Sequence, residues 1–146
     1  MTIKTLEEAI TLAVVAHAGQ VDKAGAPYIL HPLRVMMAMN TLEEQIVAVL
    51  HDVVEDNNAM SLEYLESAGF SQNIVSAIDS VTRRSEESYK NFIIRASQNE
   101  IGRKVKLADL KDNLDRSRIL NPTNEDHVRW FKYKTALELL EEITNG

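Results

Sequence analysis

The chain contains no cysteine, only three prolines and five glycines among 146 residues, and few aromatics. Without cysteine there can be no disulfide, no thiolate metal site and no cysteine nucleophile, a usage compatible with a reducing cytoplasm. No long alternating run of Val, Ile, Thr and aromatic residues is present, so β-strands are not expected. Basic residues are also in short supply, with 16 Lys and Arg against 22 Asp and Glu, a net charge of -6. Phosphate backbones are bound by clustered Lys and Arg, so no nucleic-acid partner is expected, whereas a small anion responds to local charge. No segment approaches a membrane span, and MTIKTLEEAI lacks a basic region followed by an apolar run. The expectation is a cytoplasmic chain with no membrane partner, as monomer or homodimer.

What is present is 45% apolar and 26% charged residues, ordinary for a folded domain, and a length suited to one domain over 1–146. Amphipathic runs behind helix starts predict an all-α, compact multi-helix bundle. Thr5-x-x-Glu8 and Thr41-x-x-Glu44 fit the capping box, in which each side chain satisfies a free backbone donor. They predict helices from Leu6 to about Ala18 and from Leu42 to Asn57. A loop is expected over Gly19 to Leu30. His31, preceding Pro32, is biased out of the α region and predicted at a helix entrance. Further helices are predicted over Leu62 to Ala68, Ser71 to Val81, Ser85 to Gln98, Gly102 to Leu114 and Asn124 to Ile143.

The densest chemistry is His51-Asp52-Val53-Val54-Glu55-Asp56. On a helix His51 lies over Glu55 and Asp52 over Asp56, giving two columns of ligand-type groups. Carboxylates so close repel unless a cation or proton compensates them, and near a helix C-terminus they gain nothing from the dipole. Asp109 and Asn113 lie one turn apart on a second helix. If Asp109 faces His51 and Asp52 across the bundle and His31 closes the fourth direction, two imidazoles and two carboxylates form one centre. Such a donor set suits Mn²⁺, Fe²⁺ or Zn²⁺ better than Ca²⁺ or Mg²⁺. A cation there acidifies water and polarises a phosphoryl oxygen, and Glu55 and Asp56 are placed to orient that water or move its proton. His17, beside Val14, Val15 and Ala18, reads as a hydrogen-bonded, partly buried histidine outside the metal set, and His127 as a surface residue.

Several segments in this order resemble the hydrolase domain of the RelA/SpoT alarmone enzymes, and more closely small alarmone hydrolases within the HD-domain phosphohydrolases. They are Ala16-His17-Ala18-Gly19-Gln20, Pro27 to Leu33, the HDxxED string, Val81-Thr82, and Val105-Lys106-Leu107-Ala108-Asp109 through Asn113. The resemblance implies Mn²⁺ held by His31, His51, Asp52 and Asp109, with catalytic roles for Glu55 and Asp56. It implies removal of the 3′-pyrophosphate from (p)ppGpp or (p)ppApp in the stringent response. It also places Lys23 and Lys106 at the nucleotide and Asn113 near the ribose. As plain residues, the two lysines read equally as exposed charges and Asn113 as a helix cap.

One departure concerns the base. The family carries an Arg-Lys pair where this chain has Asp22-Lys23. A carboxylate there removes the stacking cation and repels phosphate, which leaves guanine and adenine both open. Alternative readings are a phosphatase of another nucleotide, such as a deoxynucleotide monophosphate or the 2′-phosphate of NADPH, and a non-catalytic alarmone sensor. Arg83, Arg84, Tyr89 and Lys90 offer cations for a pyrophosphate or form a solvated helix start. Synthetase activity is not expected, because 146 residues leave no room for a second catalytic domain.

Overall fold

In a computed structural model, residues 4–146 are described, and they form nine α-helices and one 3₁₀ turn with no β-strand among them. Both predicted capping boxes are present: Thr5 opens α1 (Leu6–His17) and Thr41 opens α3 (Leu42–Leu50). Between them, α2 (Leu30–Met37) begins inside the Pro27 to Leu33 segment, and His31 is its second residue. The pre-proline bias on His31 is therefore overridden. Pro32 sits in the first turn, where a missing N–H costs no intrahelical bond, and His31 N–H bonds the Tyr28 carbonyl at 3.0 Å.

The helix expected from Leu42 to Asn57 is interrupted at His51 and resumes as the short α4 (Val53–Asp56). Two donors of His51 converge on the Ala48 carbonyl, the backbone N–H at 3.3 Å and ring Nδ1 at 2.6 Å. That carbonyl would otherwise accept from Asp52 N–H, so the ladder tightens and breaks there. The chain continues through α5 (Leu62–Ala68) and α6 (Gln72–Ser80) to α7 (Tyr89–Ser97), α8 (Glu100–Asn113) and α9 (Asn124–Asn145). The start expected at Ser85 lies instead behind the Ser88 N-cap. Thr123 and Asp126 add a third capping box at α9.

α3 is the central element, buried continuously from Ile46 to Leu50 and packed on α1, α2, α6 and α8. That second half is apolar on every side, as an interior segment requires. Ala9 and Ala13, Val35 and Met36, and Ala77 and Ile78 close the main core around it. A second cluster joins α7, α8 and α9 through Phe92, Ile93, Leu110, Ala136 and Leu140. Trp130 is also buried on α9, while Tyr133 and Leu137 pack partly buried against this cluster. α8 spans both clusters, which carries Asp109 against the end of α3. Among the described residues no helix is long and apolar enough to cross a membrane.

Candidate metal centre and active site

Packing of α2, the end of α3 and the middle of α8 brings four of the predicted residues together. The ligand atoms of His31, His51 and Asp52 lie within 4.8 Å of one another. Asp109 Oδ1 sits 2.8 Å from His31 Nε2 and 3.3 Å from His51 Nε2. Asp52 Oδ2 is 3.1 Å from His51 Nε2 and 3.7 Å from His31 Nε2. Both imidazoles are buried, and each is fixed through its other nitrogen. His51 Nδ1 donates to the Ala48 carbonyl, and His31 Nδ1 lies 2.6 Å from Asp112 Oδ2. Each Nε2 is thereby aimed at the carboxylates, as a metal-binding histidine requires.

Charges within this centre are strongly coupled. Burial would lower His51, yet Asp52 and Asp109 raise it well above its ordinary value, and hydrogen bonds from Asp109 and Asp112 similarly raise His31 against burial. Burial would raise Asp109, but Lys106 and the two histidines hold it far below the usual carboxylate range. Tyr28 donates its hydroxyl to Asp52, and its own burial followed by the Asp52 charge keeps the phenol protonated. Two imidazole nitrogens facing two carboxylates, with acceptors and donors already filled behind them, fit a divalent cation with mixed nitrogen and oxygen ligands.

Glu55 and Asp56 lie on α4, one turn past Asp52. Both residues are exposed on one side, and lost hydration on the inner side raises both carboxyls, with the Asp52 charge adding to it. Glu55 Oε1 accepts from Arg83 N–H at 2.6 Å. Asp56 Oδ2 accepts from Gln20 Nε2 at 3.2 Å, and Gln20 Oε1 in turn accepts from His17 Nδ1 at 3.0 Å. His17 is hydrogen-bonded, as read from the sequence, but fully buried rather than partly so.

The three predicted substrate contacts occupy different settings. Lys106 is buried, with Nζ 2.8 Å from Asp109 Oδ2, so its charge is matched to the centre rather than solvated. Asn113 caps nothing: its Nδ2 donates to Asp109 Oδ1 at 3.1 Å. Lys23 is exposed on the rim of a cleft of about 500 Å³ that Asn113, Tyr28, Arg118, Arg129 and Tyr133 also line. Tyr28 and Asn113 connect this cleft to the centre through Asp52 and Asp109. Asp22, beside Lys23 on the wall of this cleft, is held by its own loop. Its Oδ1 accepts from Ala24 N–H at 2.9 Å and Ala26 N–H at 3.0 Å, turning the carboxylate onto its own loop, where Gly25 adopts φ 86°.

Sequence reasoning missed Asp112, Arg34, Tyr28 and Gln20. Asp112 follows Asp109 by three residues and so shares its helical face, a signal that was available. It accepts from Arg34 Nε at 2.7 Å as well as meeting His31. Tyr28 and Gln20 stand within the segments that carry the resemblance, but nothing local marks their partners, which lie 24 and 36 residues away.

No family model matches the chain. It is 28% identical, over 96% of its length, to a guanosine-3′,5′-bis(diphosphate) 3′-pyrophosphohydrolase of Borreliella burgdorferi, of which it covers 23%. It is 31% identical over 75% of its length to the protein of that name from Aquifex aeolicus, covering 17% of it. With the bifunctional (p)ppGpp synthase/hydrolase SpoT of Escherichia coli it shares 31% identity over 86% of its length and 20% of the relative's. The chain thus spans about a fifth of the length of the curated relatives it matches.

Proposed function

From the premise that the chain is RelA/SpoT hydrolase-like over most of its length, we propose that it is a metal-dependent hydrolase of alarmone nucleotides, (p)ppGpp or (p)ppApp. It would remove the 3′-pyrophosphate. The observation that carries this reading is the meeting of His31, His51, Asp52 and Asp109 beside Glu55 and Asp56. The four residues would hold Mn²⁺, with Fe²⁺ or Zn²⁺ as alternatives for the same donors. A divalent cation there supplies polarisation of a phosphoryl oxygen and acidification of water.

The chain's own groups would do the rest. Water oxygen adds to the phosphorus attached to the ribose, the bond from that phosphorus to O3′ breaks, and pyrophosphate leaves as O3′ takes a proton. Asp56, steadied by Gln20, and Glu55, steadied by the Arg83 backbone, are the carboxyls available to take the proton from water and return one to O3′. Lys23 and Asn113 would meet the nucleotide in the cleft, where Lys23, unlike Arg118 and Arg129, is not engaged by a carboxylate among the described residues.

Purified protein loaded with Mn²⁺ should release pyrophosphate from a guanine or an adenine alarmone, with products resolved by anion-exchange chromatography. Glu55→Gln and Asp56→Asn should each slow turnover by about 10²- to 10⁴-fold with metal content retained. No pyrophosphate from either substrate by metal-loaded protein would overturn the reading and favour a sensor. The inward-turned Asp22 favours a second reading, because the loop then offers no stacking cation for the base. Orthophosphate released from a deoxynucleotide monophosphate or from NADPH would mark that outcome.

A further inference from the structure

Beyond Glu55 lies a group of cations that the reaction as described does not use. Arg83, whose backbone N–H holds Glu55, places its guanidinium carbon 5.5 Å from the centre of the Tyr89 ring. Lys132, from α9, places Nζ 4.3 Å from the centre of the same ring. Both residues are exposed, and among the described residues neither pairs with a carboxylate, Arg83 Nε donating only to the Glu87 backbone carbonyl at 3.2 Å. The nearby arginines behave otherwise: Arg84 pairs with Asp79, Arg95 with Glu87 and Arg129 with Asp126. In a chain with an excess of acids, two cations sharing one ring without a counter-charge are an unfilled requirement.

Two further observations point the same way. The Tyr89 hydroxyl is buried without a hydrogen-bond partner, and burial pushes the phenol up to about 12, so it remains a donor. Lys132 is also lowered, by partial loss of hydration and then by Arg83, Lys106 and Arg129, so cations crowd it from three other residues. The group adjoins the centre. Tyr89 packs on Phe92 with ring centroids 6.1 Å apart, and Lys106, bonded to Asp109, lies 4.8 Å above the Phe92 ring.

We propose that Arg83 and Lys132, assembled on Tyr89, form an anion subsite for the distal phosphate of a 3′-diphosphate. The subsite would set the preference for releasing pyrophosphate over orthophosphate. This rests on the proposed hydrolysis for its meaning, but binding tests it separately. A diphosphate reaches beyond the metal residues by one phosphate, and that group needs cations other than Lys106, which Asp109 already engages. Lys132 keeps its ammonium on a flexible stem and Arg83 offers a planar fork, so together they can follow a tetrahedral anion.

Lys132→Met and Arg83→Met remove charge while leaving the Arg83 backbone bond to Glu55 in place. With Mn²⁺-loaded protein, titration calorimetry against inorganic pyrophosphate should show affinity reduced about tenfold to a hundredfold in each variant, the loss typical of one charge-assisted hydrogen bond. Orthophosphate affinity should change less than about threefold, because only the distal phosphate meets the subsite. In turnover, kcat/KM for a 3′-diphosphate nucleotide should fall by the same factor, with that for the matching 3′-monophosphate nearly unchanged. Equal losses on both anions, or none, would overturn the subsite. Wild-type protein that cleaves no alarmone yet shows the Lys132-dependent pyrophosphate binding would overturn the hydrolase reading and leave the subsite standing.

Discussion

His31 and His51 each carry a proton at Nδ1 and turn Nε2 toward Asp109, but they do so with unlike partners. The Ala48 carbonyl is neutral and belongs to the helix that carries His51, whereas Asp112 is charged and belongs to α8. Burial would raise Asp112, yet His31 and Arg34 hold it far below the usual carboxylate range. It therefore fixes the His31 ring and makes that imidazole a stronger donor to a cation. Asp112→Ala should weaken metal affinity about 10- to 100-fold, measured by competition with a chelator. Unchanged affinity would show that His31 is oriented by its own helix. At this scale the candidate ligands were legible, since imidazoles and carboxylates in a short string announce their chemistry. Asp112 shares the helical face of Asp109, but its partner His31 is 81 residues away, so packing alone decides that contact.

Among elements, the approach of α6 to α8 decides where Asp109 stands. Gly102 allows it: a Cβ built there would lie 2.0 Å from Ser80 Oγ and 3.2 Å from Ser80 Cβ. Ser80 is buried and its hydroxyl bonds the Ala77 carbonyl at 2.6 Å, so it has little room to yield. Gly102→Ala should destabilise the protein by about 1–3 kcal/mol in urea unfolding, and adding Ser80→Gly should recover most of the loss. An unchanged midpoint for the single variant would mean that the helices separate at no cost. Helix starts with a Thr-x-x-Glu box are legible because the whole signal fits in four residues. α7 starts behind Ser88 rather than at the expected Ser85, because residues before Ser88 are held by contacts that local sequence does not reveal.

Those contacts belong to the whole molecule. Arg95 on α7 reaches back to the Asp79 carbonyl at 2.8 Å, the Thr82 carbonyl at 2.7 Å and Glu87 at 2.8 Å, closing the connection from α6 to α7 that presents Arg83 to Glu55. Arg95 holds the Glu87 carboxyl at about 2, against an ordinary value of 4.5. A depressed carboxyl contributes stability above its unfolded value and loses it as pH falls through the folded one. The gap in urea midpoint between wild type and Glu87→Gln should therefore be full at neutral pH. It should shrink as pH drops from about 4.5 toward about 2. A gap that stays constant over that range would exclude the ion pair as its source.

By itself the sequence determined the all-α class, the capped helix starts and the identity of the groups able to bind a cation. Periodicity, capping and side-chain chemistry are written within a few residues of one another. Tertiary structure decided that Asp109 meets His31 and His51 across 78 and 58 residues, that the helix breaks at His51, and that Asp22 turns onto its own loop. It also decided that Arg83 and Lys132 share Tyr89. The long-range contacts depend on which faces of α2, α3, α7, α8 and α9 become buried together, and the break at His51 and the turn of Asp22 on which nearby hydrogen-bond partners remain once they are.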